Sequence, residues 1–180
     1  MQQKSALAES LRTRLRRDLA VVHERLDQAI SRLDLTARAD YGVFLVLHRQ
    51  AFGGLTAPGA ATAPDLADTL AALDLDIAAL GLRPTEDRDA MEVAGLALDY
   101  VFLGSRLGTK VLRRHWQAAL DPVVRGAGAY FALPPRKDGW STLLQDLAAR
   151  PANGTEADRI VTDAGRIFAR FEDTYQAVLA

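Results

Sequence analysis

Three histidines are the residues of this 180-residue sequence best suited to chemistry, and no cysteine accompanies them. His23 lies at the edge of an apolar helical stripe, His48 on an aromatic helical face, and His115 directly after Arg113 and Arg114. A neutral imidazole can bind a metal, and iron held in a macrocycle needs only one protein ligand. The absence of cysteine excludes disulfides, thiolate nucleophiles, thiolate zinc sites and iron–sulfur clusters. No pair of histidines shows metal-binding spacing such as i, i+4 or Glu-x-x-His, so a dinuclear carboxylate site is poorly supported.

Each histidine also has an ordinary structural role that spacing alone does not separate from the chemical one. His23 could be an interfacial histidine that bonds a carbonyl group or water. His48 shares a face with Tyr41, Phe44 and Phe52, which predicts a core histidine with one hydrogen-bond partner. We expect His115 to favour the negative end of its helix dipole. Spacing alone therefore leaves His23 either a metal ligand or an interfacial histidine, and it favours the interfacial role.

A pair of glycines, Gly104 and Gly108, interrupts a strongly helical stretch and flanks Ser105. Each glycine inside a helix costs about 1 kcal/mol relative to alanine, so two on one face need a reason. Close helix–helix packing is one explanation. A ligand pressed against the helix backbone is the other, because glycine leaves room for it.

The elements that position these residues are predicted to be helices throughout. Apolar residues recur at steps of three and four, and no alternating strand pattern competes. We predict an all-α fold of six or seven helices in a single domain, residues 1–180. The first predicted helix is continuous from Leu7 to Leu33, and the next two cover about Ala37–Phe52 and Pro64–Leu80. The fourth is capped by Thr85, has Glu86 and Asp87 in its first turn and runs to about Ala119. A further helix runs from Trp140 to about Ala149, and the last begins at Thr155 and carries Phe168, Phe171 and Tyr175.

The charge balance argues against nucleic acid as a partner, because 22 basic residues face 23 acidic ones and the net charge is −1. The most apolar run, Val93–Leu103, contains Asp99 and is too short to span a bilayer. No secretory or transit segment is apparent, so we expect a soluble cytoplasmic protein without membrane contact.

Arginines concentrate in the first predicted helix, where most of them are expected to form a solvated face. Arg16 lies seven residues before His23, which places both on one face of a continuous helix. A guanidinium there could pair with the carboxylates of a ligand.

Five short motifs follow one another in order along nearly the whole chain. They are His23-Glu24-Arg25-Leu26, Tyr41-Gly42-x-Phe44-Leu45, Leu80-Gly81, Tyr100-Val101-x-x-Gly104-Ser105-Arg106-Leu107-Gly108 and Val111-Leu112. Together they resemble the heme oxygenases, and the bacterial branch associated with bacteriophytochromes more than the animal enzymes. The glycine-rich motif is the most specific of the five.

The resemblance implies a helical fold in which heme is held between a proximal helix and a glycine-kinked distal helix. His23 would be the proximal iron ligand, and Gly104, Ser105 and Gly108 would form the catalytic distal face with room for dioxygen and water. Heme would be both cofactor and substrate. Electrons from a reductase or ferredoxin would convert it, with dioxygen, to biliverdin, carbon monoxide and iron. The implied heme contacts also include Arg16, paired with a propionate, and Tyr100, Phe168 and Phe171; a bacteriophytochrome is a candidate partner.

Several positions depart from the family pattern. Ser105 stands where animal enzymes have aspartate, and the bacterial branch also has serine at this position. Leu103 replaces a glutamate that is frequent in the bacterial branch. Ala20 replaces a frequent basic residue, and the segment Trp140–Gln145 has no basic match for a second propionate contact. These departures leave two alternatives: a heme- or bilin-binding signalling module without catalysis, and a helical interaction domain whose glycines only pack helices.

Overall fold

The computed structural model describes residues 9–83 and 86–179, and helices dominate this part of the chain. The described elements are α1 Leu11–Asp18, α2 Ala20–Ser31, α3 Arg38–Phe52, β1 Leu55–Thr56, α4 Ala63–Ala79, β2 Met91–Glu92, α5 Gly95–Gln117, α6 Pro122–Gly126, α7 Ala129–Ala132, α8 Gly139–Ala149 and α9 Thr155–Leu179. The structure is therefore all-helical apart from one two-stranded parallel sheet. Within the described residues, no helix is both long enough and apolar enough to cross a membrane.

The first predicted helix is divided at Leu19, so the prediction of one continuous helix is wrong. Leu19 has φ −101° and ψ 0°, outside the helical region, and α2 begins after it. The Leu19 N–H still donates to Leu15 O at 3.1 Å, and the His23 N–H to Leu19 O at 3.0 Å. The division is thus a local deformation. Because it separates α1 from α2, Arg16 and His23 lie on different helices.

The helix predicted to be capped by Thr85 begins nine residues later than expected, at Gly95. Thr85 itself lies outside the described residues, and Glu86 and Asp87 are not helical. The buried Asp163 carboxylate accepts a hydrogen bond from the Ala94 N–H at 2.8 Å and so satisfies one free amide at the true start of α5. Tertiary contact with α9, rather than the local acidic residues, sets this boundary.

The segment before α5 forms β2, which pairs in parallel with β1 through Leu55 opposite Met91 and Thr56 opposite Glu92. The buried Arg170 guanidinium of α9 holds this region by donating to Asp89 O at 2.8 Å and to Gly53 O. A two-residue strand is too short to show an alternating pattern, which explains why sequence periodicity does not predict it.

Two apolar clusters form the core, and α3 contributes to both. The first joins α1, α2, α3, α5, α8 and α9 around Leu15, Leu47, Phe52 and Phe102, and the second joins α3, α4, α6 and α7 around Tyr41. The helix α9 packs against α2, α3 and α5. These four helices supply the walls of the site described next.

Candidate functional site

A cavity of about 470 Å³ is lined mainly by α2, α5 and α9. His48 of α3 and Trp140 of α8 complete its wall, and most of the lining side chains are apolar. This volume lies within the roughly 300–1,000 Å³ typical of pockets for organic ligands, which are also mostly apolar with a few polar groups.

Seven of the eight residues predicted for the site line this one cavity: His23, Tyr100, Gly104, Ser105, Gly108, Phe168 and Phe171. The eighth, Arg16, is exposed on α1 and does not line it. Burial raises the pKa of Tyr100, and the positive charge of Arg16 partly offsets that rise. Arg16 therefore lies close enough to Tyr100 for its charge to act there, although it shares no helix with His23.

A carboxylate that sequence reasoning missed lies beside His23. The imidazole Nδ1 lies 3.0 Å from Oδ2 of Asp27, one turn later in α2, and the ring meets Phe168 edge-on with 5.8 Å between ring centroids. No hydrogen bond from a described residue occupies Nε2. Metal-binding histidines characteristically bond a carboxylate through one ring nitrogen and the metal through the other. The i, i+4 spacing of His23 and Asp27 in a predicted helix was the available signal.

The two glycines of α5 are not explained by close helix packing. A Cβ atom added at Gly108 would meet no atom of the described residues within 4 Å, and one added at Gly104 would meet only the Trp140 ring at 3.7 Å. The latter is an ordinary van der Waals distance. The helix is continuous through both positions, so α5 presents bare backbone to the cavity at Gly104 and Gly108, between lining side chains such as Ser105 and Leu107. The packing explanation offered by the sequence is therefore not supported at either glycine.

Ser105 uses its hydroxyl hydrogen within its own helix. Its Oγ donates to Phe102 O at 2.7 Å, a bond to the carbonyl three residues earlier. The oxygen that lines the cavity consequently offers lone pairs rather than a hydrogen. Ser105 can hold a water molecule there as an acceptor.

His48 is a core histidine with a hydrogen bond to a backbone carbonyl, as predicted, but it also lines the cavity. Its side chain is 3% exposed, and Nδ1 lies 2.8 Å from Phe44 O. A carbonyl oxygen only accepts, so Nδ1 carries the hydrogen and the neutral ring keeps a lone pair on Nε2. Burial lowers the pKa of His48 to about 4. The spacing of the aromatic face indicated burial, but not that the ring would border a cavity.

We expect His48 to make the protein less stable as the pH falls from about 6.5 towards 4. In this window an unfolded chain binds a proton at His48 and the folded chain does not, because burial holds its pKa at about 4. The loss of unfolding free energy approaches about 3 kcal/mol at the lower end. Urea unfolding measured from pH 7 to pH 4 checks this, with His48→Phe as the comparison. An equal slope for both proteins in that window would contradict the assignment.

Two buried carboxylates hold the elements around the site in place. Asp99 of α5 accepts from the Ala61 and Thr62 amides at 3.1 and 2.9 Å, which fixes the loop before α4. Asp76 of α4 accepts from the Ala129 and Tyr130 amides at 2.7 and 2.8 Å, and burial raises its pKa. The second contact fixes Tyr130, whose ring centroid lies 5.9 Å from that of His48.

The third histidine plays no part in the cavity. His115 lies in the last turn of α5, as expected from the dipole argument, and its Nε2 is 3.2 Å from Oδ1 of Asp34. Both side chains are about half exposed. Because His115 is not among the residues that line the cavity, it is a suitable control for substitutions at the other two histidines.

No family model matches this sequence, and no curated protein matches it either. Within residues 9–83 and 86–179, no group of three or more His, Asp, Glu or Cys side chains is arranged to hold a metal ion. The fold and site define a helical protein with a mainly apolar cavity, a histidine that lies beside a carboxylate, and a helix wall that carries two glycines.

Proposed function

We propose that this protein is a heme oxygenase, which opens heme to biliverdin with release of carbon monoxide and iron. The observation that carries the proposal is the shared cavity of His23 and the glycine face of α5. His23 offers a free Nε2 with Asp27 behind it, and Gly104 and Gly108 leave the helix surface open. One ligand and one open face are what dioxygen chemistry at a heme requires.

The residues present fit heme as the bound substrate. The cavity is large and mainly apolar, and its single supported imidazole needs no thiolate or second ligand. Leu107 and Val111 of α5 line the cavity although their side chains are 54% and 68% exposed. A flat apolar ligand would cover such side chains. Arg16 does not line the cavity, but its positive charge acts on Tyr100 and would attract a carboxylate at the ligand's edge.

In this mechanism each residue has a role that its own contacts support. Heme supplies the iron at which dioxygen reacts with electrons from an external reductase or ferredoxin. His23 would hold the iron through Nε2, and the Asp27 carboxylate, 3.0 Å from Nδ1, would orient the imidazole in that complex. Gly104 and Gly108 keep the α5 face open to small molecules, and Oγ of Ser105 accepts a hydrogen bond from water there. Phe168 and Phe171 supply apolar contact.

Asp27→Ala is expected to weaken hemin binding by roughly 10–100-fold, the usual cost of losing an outer partner of a metal ligand. The free energy of unfolding should change little, because Asp27 and His23 are 67% and 54% exposed and exposed ion pairs contribute little to stability. Absorbance titration with hemin and urea unfolding measure the two effects. Asp34→Ala, which removes the equivalent partner of His115, is the matched control and should leave hemin binding unchanged.

Titration of the purified protein with hemin, followed by ascorbate or a ferredoxin-type reductase, tests the proposal. We expect hemin to give a shifted Soret band, and reductant to replace it with the broad red absorption of biliverdin. The absence of a Soret shift would reject heme as the ligand. A Soret band that survives reductant in air would reject catalysis.

The second candidate is a heme- or bilin-binding module without catalysis. The cavity face of α5 favours it in one respect: among the described lining residues of that helix none is acidic, and the Ser105 hydrogen is already used within the helix. Such a protein would bind hemin through His23 and leave it intact. The reductant step therefore separates the two candidates.

A further inference from the structure

The inner polar feature of the cavity is the imidazole of His48, which the mechanism above does not use. The bond from Nδ1 to Phe44 O fixes the tautomer, so Nε2 is an acceptor. Ring contacts hold the imidazole on several sides: the centroids of Phe44 and Phe171 lie 4.2 and 5.6 Å from that of His48. No described residue donates a hydrogen bond to Nε2, although His48 lines the cavity. Because His48 lines the cavity, a water molecule or a ligand there can donate to Nε2.

A ligand that displaces water from this position has to bring a hydrogen-bond donor of its own, or the bond to Nε2 is lost. The other fixed polar atom of the α5 face, Oγ of Ser105, also presents lone pairs. In an iron porphyrin all four pyrrole nitrogens bind the metal, so its centre carries no N–H group. An open-chain tetrapyrrole has pyrrole and lactam N–H groups, and its rings turn about the bridging bonds. The donor that His48 lacks is therefore present in the ring-opened compound and absent from heme.

We propose that Nε2 of His48 accepts a hydrogen bond from an N–H group of an open-chain tetrapyrrole, so that the cavity holds the ring-opened product through a residue that heme binding does not require. This inference rests on the proposed function for the class of ligand. Burial keeps the ring neutral well below pH 7, which leaves Nε2 able to accept. His23 would select the iron compound and His48 the metal-free one within a single cavity.

Separate titrations with biliverdin and with hemin test this assignment. We expect His48→Phe to weaken biliverdin binding by about tenfold, the effect of one lost hydrogen bond, and to change hemin binding less than about twofold. His48→Gln places a side-chain carbonyl near the position of Nε2 and should restore most of the biliverdin affinity. His23→Ala should show the reverse pattern, with hemin binding lost and biliverdin binding retained. His115→Phe should affect neither ligand.

Equal losses of both ligands in His48→Phe would show general damage to the cavity and would overturn the assignment, as would an unchanged biliverdin affinity. Hemin binding without any biliverdin binding by the wild-type protein would overturn this inference alone. Biliverdin binding that depends on His48, in a protein that fails to bind hemin, would uphold it and reject the heme oxygenase proposal.

Nitrogen NMR of the wild-type protein keeps the test independent of whether variants fold. With labelled histidine, we expect His48 to show a protonated Nδ1 and an unprotonated Nε2 at pH 7. Addition of biliverdin should shift the Nε2 resonance and leave Nδ1 protonated. A protonated Nε2 in the free protein, or no shift on saturation with biliverdin, would overturn the proposal.

Discussion

Replacing His23 with alanine is expected to abolish the Soret shift that hemin produces and to lower hemin affinity by more than 100-fold. The loss should exceed the roughly 10–100-fold cost of removing an outer partner, because it removes the proposed ligand itself. The free energy of unfolding should change little, since the His23 side chain is 54% exposed and its partner Asp27 is 67% exposed. Absorbance titration with hemin measures the first effect, and urea unfolding the second.

His115→Ala is the matched control, because His115 is likewise about half exposed, pairs with an aspartate and lies outside the cavity lining. It should leave the hemin spectrum unchanged. Added imidazole should restore a Soret band to His23→Ala by occupying the space that the side chain left. A His23→Ala spectrum identical to that of the wild-type protein would show that His23 is not the ligand.

Side chains introduced at the glycine face of α5 are expected to block ligand binding without unfolding the protein. Gly108→Ala should raise the free energy of unfolding by roughly 0.5–1 kcal/mol, because alanine is the better helix former and its Cβ would meet no described atom within 4 Å. The melting temperature should rise by about 2–4 °C at most. Gly108→Leu should place its larger side chain in the cavity and prevent hemin binding while the protein stays folded. Thermal unfolding and hemin titration measure these effects.

Gly165→Ala is the control for helix propensity. Gly165 lies inside α9 and does not line the cavity, and a Cβ there would lie 3.7 Å from Cδ2 of Leu19, an ordinary contact. It should stabilise the protein to a similar extent and leave hemin binding unchanged. Destabilisation by Gly108→Ala would mean that the glycine serves packing after all. Full hemin affinity in Gly108→Leu would mean that this face does not contact the ligand.

The long helices could be predicted almost to the residue wherever their boundaries depend on local chemistry. Periodicity predicted about Ala37–Phe52 for the helix observed as Arg38–Phe52, and Pro64–Leu80 for the one observed as Ala63–Ala79. The signals for these helices are local in the sequence: their apolar faces, the proline in the first turn of α4 and the glycine that follows each helix.

Boundaries that depend on distant residues were predicted wrongly. The start of α5 depends on Asp163, which is 69 residues from the amide it bonds, and β1 pairs with a strand more than 30 residues away. The acidic residues after Pro84 resemble a helix start, but the contacts with α9 and β1 outweigh that local preference. Local pattern carries no information about such partners.

Residue type and spacing by themselves determined that His23 and the pair Gly104 and Gly108 needed an explanation, because a lone imidazole beside an apolar stripe and two costly helix glycines are anomalies of local chemistry. Only the tertiary structure decided that they line one cavity, that Gly108 faces open space and that the free nitrogen of His48 belongs to the same wall. The penalty of a helix glycine is local. Why a glycine is present depends on the space beside it, and helices distant in sequence either fill that space or leave it empty.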